Sequence, residues 1–371
     1  MKISFKILIC GFGLSLFVQA GLADGQILKD TVSLELLKKG IDNIYNFQFN
    51  EARKVYKEIS RTYPDHPVVI LFKGMLTYWG DYPMLPTSPD GPAYEESLRR
   101  CIEQCEKRTN NIDEAEILMS NLCARGLLLL YYTDNNMSLE VFPLATTTYP
   151  LIRRAFSFTD SYIDFCFFTG LYNYYREAYP DNHPVYRPLA ALFPKGDKNK
   201  GIKEIQTAAN RSIVLKAEAY SFLSSIYLGY EKNFQKAFFY SKALNELYPS
   251  NLQYLGGYLK NLLLVRKYDE AEKLIAISEK ESNNSYFQAQ IDVFKGILQE
   301  KKYYDKKMAE FYYNKGIRAL SLFGDYGNEF EAYAYFGLSR ISDDYGEKHY
   351  KRTFRKLAMK LAAYKKVNFD D

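Results

Sequence analysis

Tryptophan occurs once in this chain, histidine three times and cysteine five times, and each scarcity excludes something. His66, His183 and His349 form no H-x-x-x-H pair, so no histidine-based metal or catalytic motif is present. His66 and His183 each precede a proline in a related turn, YPDHP at 63–67 and YPDNHP at 179–184, and read as caps or solvated turn side chains. One cysteine, Cys10, falls in the N-terminal apolar run; Cys101, Cys105, Cys123 and Cys166 remain. Cys101 and Cys105 have the i, i+4 spacing of two metal ligands on one helix, but nothing supplies the other two. Packed thiols are expected, with no metal and no cofactor.

No G-x-x-x-x-G-K-S/T phosphate loop occurs, and the acid pairs Glu95–Glu96 and Asp343–Asp344 read as caps or solvated charge. No catalytic residue stands out, and no enzyme activity is expected. Charge of one sign is also lacking. The net +5 drops to +3 without the first 20 residues, which carry Lys2 and Lys6 (5 − 2 = 3), too little to argue for nucleic acid. The basic stretch 348–366 reads as the solvated face of a last helix. Long hydrophobic runs are absent after the N-terminus, so no integral span is expected in the mature chain.

The N-terminus itself, MKISFKILICGFGLSLFVQAGLADG, has two lysines, an apolar run from Ile7 to Val18 and then small residues. That is the pattern of a secretory signal peptide over 1–23, cleaved after Ala20 or Ala23. A soluble exported protein, periplasmic or extracellular, is expected. Cys10 is badly placed for a lipoprotein anchor.

What the chain does have is a period. Gly40 and Gly74 are 34 apart (74 − 40), as are Ala237 and Ala271 (271 − 237); Ala52 to Pro64 and Ala237 to Pro249 are both 12. Gly40, Ala52, Tyr56 and Pro64, then Ala237 and Pro249, then Tyr268 and Ala271 resemble the marks of the tetratricopeptide-repeat family. Small residues let paired helices approach, tyrosine fills between them, and proline ends the second helix. After Trp79 the insertion DYPMLPTSPDG delays the next helix to about Pro92. Gly296 and Gly337 keep the glycine mark while their partners drift.

Helix periodicity and stop signals give about eight helical hairpins, near 33–62, 67–108, 112–157, 160–210, 214–248, 251–282, 284–322 and 328–365. The expected fold class is all-α, an α-solenoid with a tetratricopeptide-like right-handed superhelix. It forms a single repeat domain over 24–371 with an irregular joint at 180–197. In the joint, Pro184, Pro188 and Pro194 allow at most a short helical turn around Leu189 to Leu192. Val185, Tyr186, Leu189, Leu192 and Phe193 are expected to hold the joint against the solenoid. Asp197 is placed to cap the helix that follows.

The block from Phe165 to Glu218 is also similar to the group that includes tetratricopeptide repeat protein 39 and the inclusion-body clearance proteins. The marks are GLYNYY, the proline joint, Gly196, Asp197 and Lys198, then Gly201 and Ile202. The exported location departs from those eukaryotic members, so their cellular roles are not carried over.

In the repeat family the first helix of each hairpin lines the concave surface. The resemblance places Leu37, Ile41, Ile44, Leu71, Met75, Tyr78, Phe222 and Ile226 there as a partner-binding face. It is an apolar face, and self-filling by the chain is expected over an open peptide groove. Aromatic residues make up 16% of the chain, and Tyr172, Tyr174 and Tyr175 are expected in the core. The function expected is a non-catalytic scaffold in the cell envelope that binds protein partners. The alternative is a glycan- or small-ligand-binding repeat protein using exposed aromatics.

Overall fold

The computed structural model describes residues 26–107, 113–184, 187–364 and 366–370. The signal-peptide reading and Val185 and Tyr186 of the joint lie outside the described residues. Seventeen α-helices run along the described chain, and no strand occurs among the described residues. They pair into eight hairpins. Helices α1 (Thr31–Tyr45) with α2 (Phe49–Thr62), α3 (Pro67–Gly80) with α4 (Gly91–Glu106) and α5 (Glu114–Asp134) with α6 (Ser138–Ala155) make the first three. Helices α7 (Phe165–Asn182) and α9 (Lys198–Arg211) make the fourth, with the short α8 (Arg187–Ala190) between them. The last four pair α10 (Lys216–Ser225) with α11 (Phe234–Leu247), α12 (Leu252–Leu264) with α13 (Tyr268–Glu281), α14 (Ser285–Lys301) with α15 (Lys306–Leu320), and α16 (Asn328–Asp344) with α17 (Lys348–Leu361). Consecutive helices pack on one another, so this is an all-α solenoid.

The repeat marks act as their chemistry requires. Ala52, Ala237 and Ala271 are fully buried. A Cβ on Gly40 would sit 2.5 Å from the Phe72 ring and 2.8 Å from Val55, so only glycine lets α1 lie this close to α2 and α3. The turn inside a hairpin repeats too. Phe47, Asn136, Lys232, Arg266 and Tyr304 each have positive φ, between +53° and +60°, and Gly346 has +75°. Only one of the six is glycine, so five turns hold a side chain in the left-handed region at some cost.

The joint differs in part from its expected form. Helix α7 does not stop at the tyrosine-proline step but runs through Pro180 to Asn182, with His183 as its C-cap. His183 is exposed and its ring lies 4.4 Å from that of Tyr179. Leu192 is not packed down; it is 77% exposed. Phe193 carries the contact, its ring 4.7 Å from that of Tyr149. Backbone oxygens do the rest: Arg176 donates to the Phe193 carbonyl at 2.9 Å and Tyr172 to the Pro194 carbonyl at 2.6 Å. Among the described residues, the end of the joint is held by polar groups on α7 together with the Phe193 ring. Asp197 caps α9, accepting from the Lys200 amide at 2.9 Å. Gly201 then meets α7 backbone to backbone: a Cβ there would lie 2.6 Å from the Tyr174 nitrogen and 2.7 Å from the Gly170 oxygen.

His66 is a cap but not a solvated one. It is 5% exposed, accepts from the Val68 amide at 3.2 Å, and faces the buried Glu116 at 3.3 Å. Glu116 also accepts from the backbone of Ile27 and Leu28, tying the start of the described chain to α5. Cys101, Cys105, Cys123 and Cys166 are free thiols, and Tyr174 is fully buried with Tyr172 and Tyr175 half-buried. Only Ala358 is buried on α17, so the basic C-terminal stretch is a solvated face.

The superhelix closes on itself. Asn251 caps α12 through its side-chain oxygen while its amide nitrogen donates to the Tyr45 carbonyl at 3.1 Å, 206 positions away. Asn284 repeats the device one hairpin later, capping α14 and donating to the Tyr82 carbonyl at 2.7 Å. An aromatic seam lies beside these bonds. Tyr45 meets Trp79 and Tyr248, Trp79 meets Tyr254, and Tyr82 meets Tyr286, with centroids 5.2 to 6.0 Å apart. The first two hairpins therefore touch the fifth, sixth and seventh.

Candidate functional site

The closed superhelix leaves two interior spaces, and α10 stands between them. Its 3.6-residue period sorts the side chains into two stripes. Ser221, Ser224 and Ser225 line one space; Glu218 and Phe222, with Leu215 just before the helix, line the other.

The serine side is a polar chamber of about 680 Å³, within the range of small-molecule sites. The rings of Tyr82, Tyr254, Tyr286, Tyr326 and Phe330 wall it, together with Gln253, Asn261 and Gln290. Asn261 is 1% exposed and its Nδ2 donates to Ser224 Oγ at 3.2 Å, but its Oδ1 has no hydrogen-bond partner among the described residues. The same holds for Oε1 of Gln290, which is 2% exposed, and of Gln253. Gly256 is the residue that leaves room for the Gln290 carbonyl end. Three covered acceptors without donors among the described residues, all on residues that line one chamber, are a cost to the fold.

Three acids, Asp134, Asp325 and Glu329, also line the chamber, and two of them are shifted. Burial, with the charge of Glu329 behind it, pushes Asp134 up to about 7. Burial works against the charge of Glu329 as well, but Lys260 at 2.7 Å and the Tyr333 hydroxyl at 2.5 Å outweigh it and hold that carboxyl below its usual value. One acid is thus poised to titrate near neutrality while its neighbour stays ionised.

The other space is an apolar compartment of about 210 Å³ under the first helices of hairpins one to five. Leu37 and Ile41 of α1, Leu71 and Met75 of α3, and Phe222 of α10 face it, so five of the eight expected concave residues are brought together here. The other three are not. Ile44, Tyr78 and Ile226 are buried, with at most 8% exposure, and line neither space. Glu218 sits at the compartment wall; its Oε1 accepts from Tyr45 and its Oε2 has no partner among the described residues. Burial, despite that hydrogen bond and helped by the charge of Asp164, raises it to about 7.

Glu218, Asp134, Asn261 and Gln290 are absent from the sequence-based site. Their signal was a polar residue inside an apolar helical run, as in YLKNLLL and YFQAQIDVF. Among the described residues no group of three or more His, Cys, Asp or Glu side chains is arranged to hold a metal ion. No helix among them is long and apolar enough to cross a membrane. Compared with known proteins, the chain matches no family model and no curated sequence. Fold and interior together define a closed helical-repeat solenoid with two internal compartments.

Proposed function

We propose that this is a non-catalytic helical-repeat protein of the tetratricopeptide type, exported to the cell envelope, that holds a small neutral polar ligand of the carbohydrate class in the chamber between hairpins two and eight. The observation that carries this reading is a polar, tyrosine-walled chamber of about 680 Å³ whose lining residues Gln253, Asn261 and Gln290 each carry a covered amide oxygen without a donor among the described residues. Sugar hydroxyls are donors of the right reach, and tyrosine faces suit the apolar side of a pyranose ring.

Of the two roles expected from the sequence, ligand holding is the better supported. Docking of a protein segment on the concave face is less so, because Ile44, Tyr78 and Ile226 are buried and the other five expected residues enclose an internal compartment of only about 210 Å³. The aromatic residues that serve are enclosed ones, not exposed ones. The test is calorimetry against a panel of neutral mono- and oligosaccharides, repeated on Gln290→Leu. Saturable binding that the substitution weakens supports the reading; no binding across the panel overturns it.

A further inference from the structure

The apolar compartment calls for a different occupant from the polar chamber. Its walls carry no lysine, arginine or histidine, and the one charged side chain on them is Glu218. Two of its polar atoms, Glu218 Oε2 and the hydroxyl of Ser120, are buried without hydrogen-bond partners among the described residues. Ser120 is 1% exposed. Apart from Thr148, Cys123 and Gly126, the remaining wall is aliphatic and aromatic, with Ile41 and Leu71 from the first two hairpins, Leu122 and Leu127 from α5 and Phe168 from α7. The deep side chains are buried, while Leu130 at the edge is 39% exposed and marks a way in.

We propose that this compartment is a binding site for a short alkyl amine, its chain among the leucines and its ammonium group against Glu218. The chain follows from the wall: burying methylenes there removes apolar surface from water on both sides. An engineered apolar cavity of roughly 150 Å³ takes up benzene, so 210 Å³ accommodates a longer flexible group. The amine follows from charge complementarity. Burial holds the Glu218 proton up to about 7, so near neutrality a ligand that brings its own cation, with no other cation on the wall, favours the ionised carboxylate, and Asp164 nearby adds a second negative charge to the field. Tyr45 is the positioning residue: its hydroxyl occupies Oε1, so Oε2, which has no partner among the described residues, is the oxygen left to accept from an ammonium group. A carboxylate head would meet repulsion instead. Cys123, on the same wall, is raised by burial and then by the charge of Glu218, so it remains a neutral thiol and offers no competing anion.

Gly126 gives a way to close the site without touching Glu218. It lines the compartment, and a Cβ there meets no atom within 4 Å. The experiment is isothermal titration of the purified protein with n-octylamine, n-octanol and octanoate at neutral pH. The three probes are repeated on Glu218→Gln and Gly126→Phe, with circular dichroism checking the fold of each. Octylamine is expected to bind best, with octanol weaker and octanoate weakest. Glu218→Gln is expected to lose at least tenfold in octylamine affinity while octanol changes little, and Gly126→Phe to lose both. Binding of octanoate as tight as that of octylamine, equal octylamine binding by Glu218→Gln, or no octylamine binding by the unaltered protein would overturn the proposal. Should Glu218→Gln fail to fold, the probe ranking and Gly126→Phe still decide it. The chamber on the other side of α10 plays no part in this outcome.

Discussion

Tyr45, at the end of the first helix, donates its hydroxyl to Glu218, 173 positions later, inside the closed superhelix. The pairing leaves an acid in a nearly dry place, and a stability prediction follows from it. Unfolded, the carboxyl ionises near its ordinary value of 4.5; folded, it keeps its proton up to about 7. Between those values the native state binds the extra proton, so stability falls as pH rises through the window and levels off above it. Tyr45, Tyr248, Tyr254, Cys123 and Asp164 are the titratable groups around it, and none of them is a cation. Asp134 adds to the same slope. The Glu218 share is on the order of 3 kcal/mol. Guanidinium unfolding at about pH 5 and about pH 8 should show the unaltered protein weaker at the higher value. Glu218→Gln should show a clearly smaller difference, and an unchanged slope would remove Glu218 as its source.

Gly201→Ala should be poorly tolerated. The contacts a methyl would make are with the Tyr174 nitrogen and the Gly170 oxygen, backbone atoms that cannot swing aside. Helix α9 would have to move off α7, at a cost of about 1–3 kcal/mol. Gly80→Ala serves as the control, since a Cβ there meets nothing within 4 Å. Thermal melts of the pair should differ by several degrees.

Arg266→Gly should stabilise the protein. Its φ of +60° strains any side chain, and glycine relieves that at some entropic cost in the unfolded chain. The net gain expected is up to about 1 kcal/mol. Chemical denaturation reads it directly, and a loss of stability would mean the side chain makes a contact that outweighs the strain.

In the joint, Leu192→Ala should be silent and Phe193→Ala should not. Leu192 is 77% exposed, whereas Phe193 packs on Tyr149. Removing the half-buried ring should cost about 1–2 kcal/mol. Limited proteolysis should then cut the Phe193→Ala protein near Lys195 faster than the unaltered one.

Much of the fold was legible because it is written locally. Gly40, Ala52 and Ala237 sit at helix contacts, so their spacing reports directly on the hairpin. Asp197 capped its helix as a cap residue should. Where the reading went astray, a local rule met a tertiary one. Pro180 looked like a stop, yet α7 carries it inside and ends two residues later. Leu192 looked like an anchor by hydrophobicity, but nothing covers it. The interior was hardest to foresee. Asn251 and Asn284 went unremarked in the sequence; each caps its helix locally, and no periodicity says that the other end of each amide reaches Tyr45 and Tyr82. Without that closure, neither the chamber nor Glu218 has a reason to be noticed.

The bond from Asn251 to the Tyr45 carbonyl also sets an order of events during synthesis. Tyr45 leaves the ribosome long before Asn251 exists, and at ~5–20 residues per second the gap of 206 positions takes roughly 10–40 s. For that time the nascent first hairpins keep an open flank, with Trp79 and Tyr45 unprotected by their later neighbours. A repeat array that touches only adjacent units could settle progressively as it emerges. This one must wait for its seventh hairpin before its second is fully covered, so a nascent-chain chaperone has a defined stretch to shield.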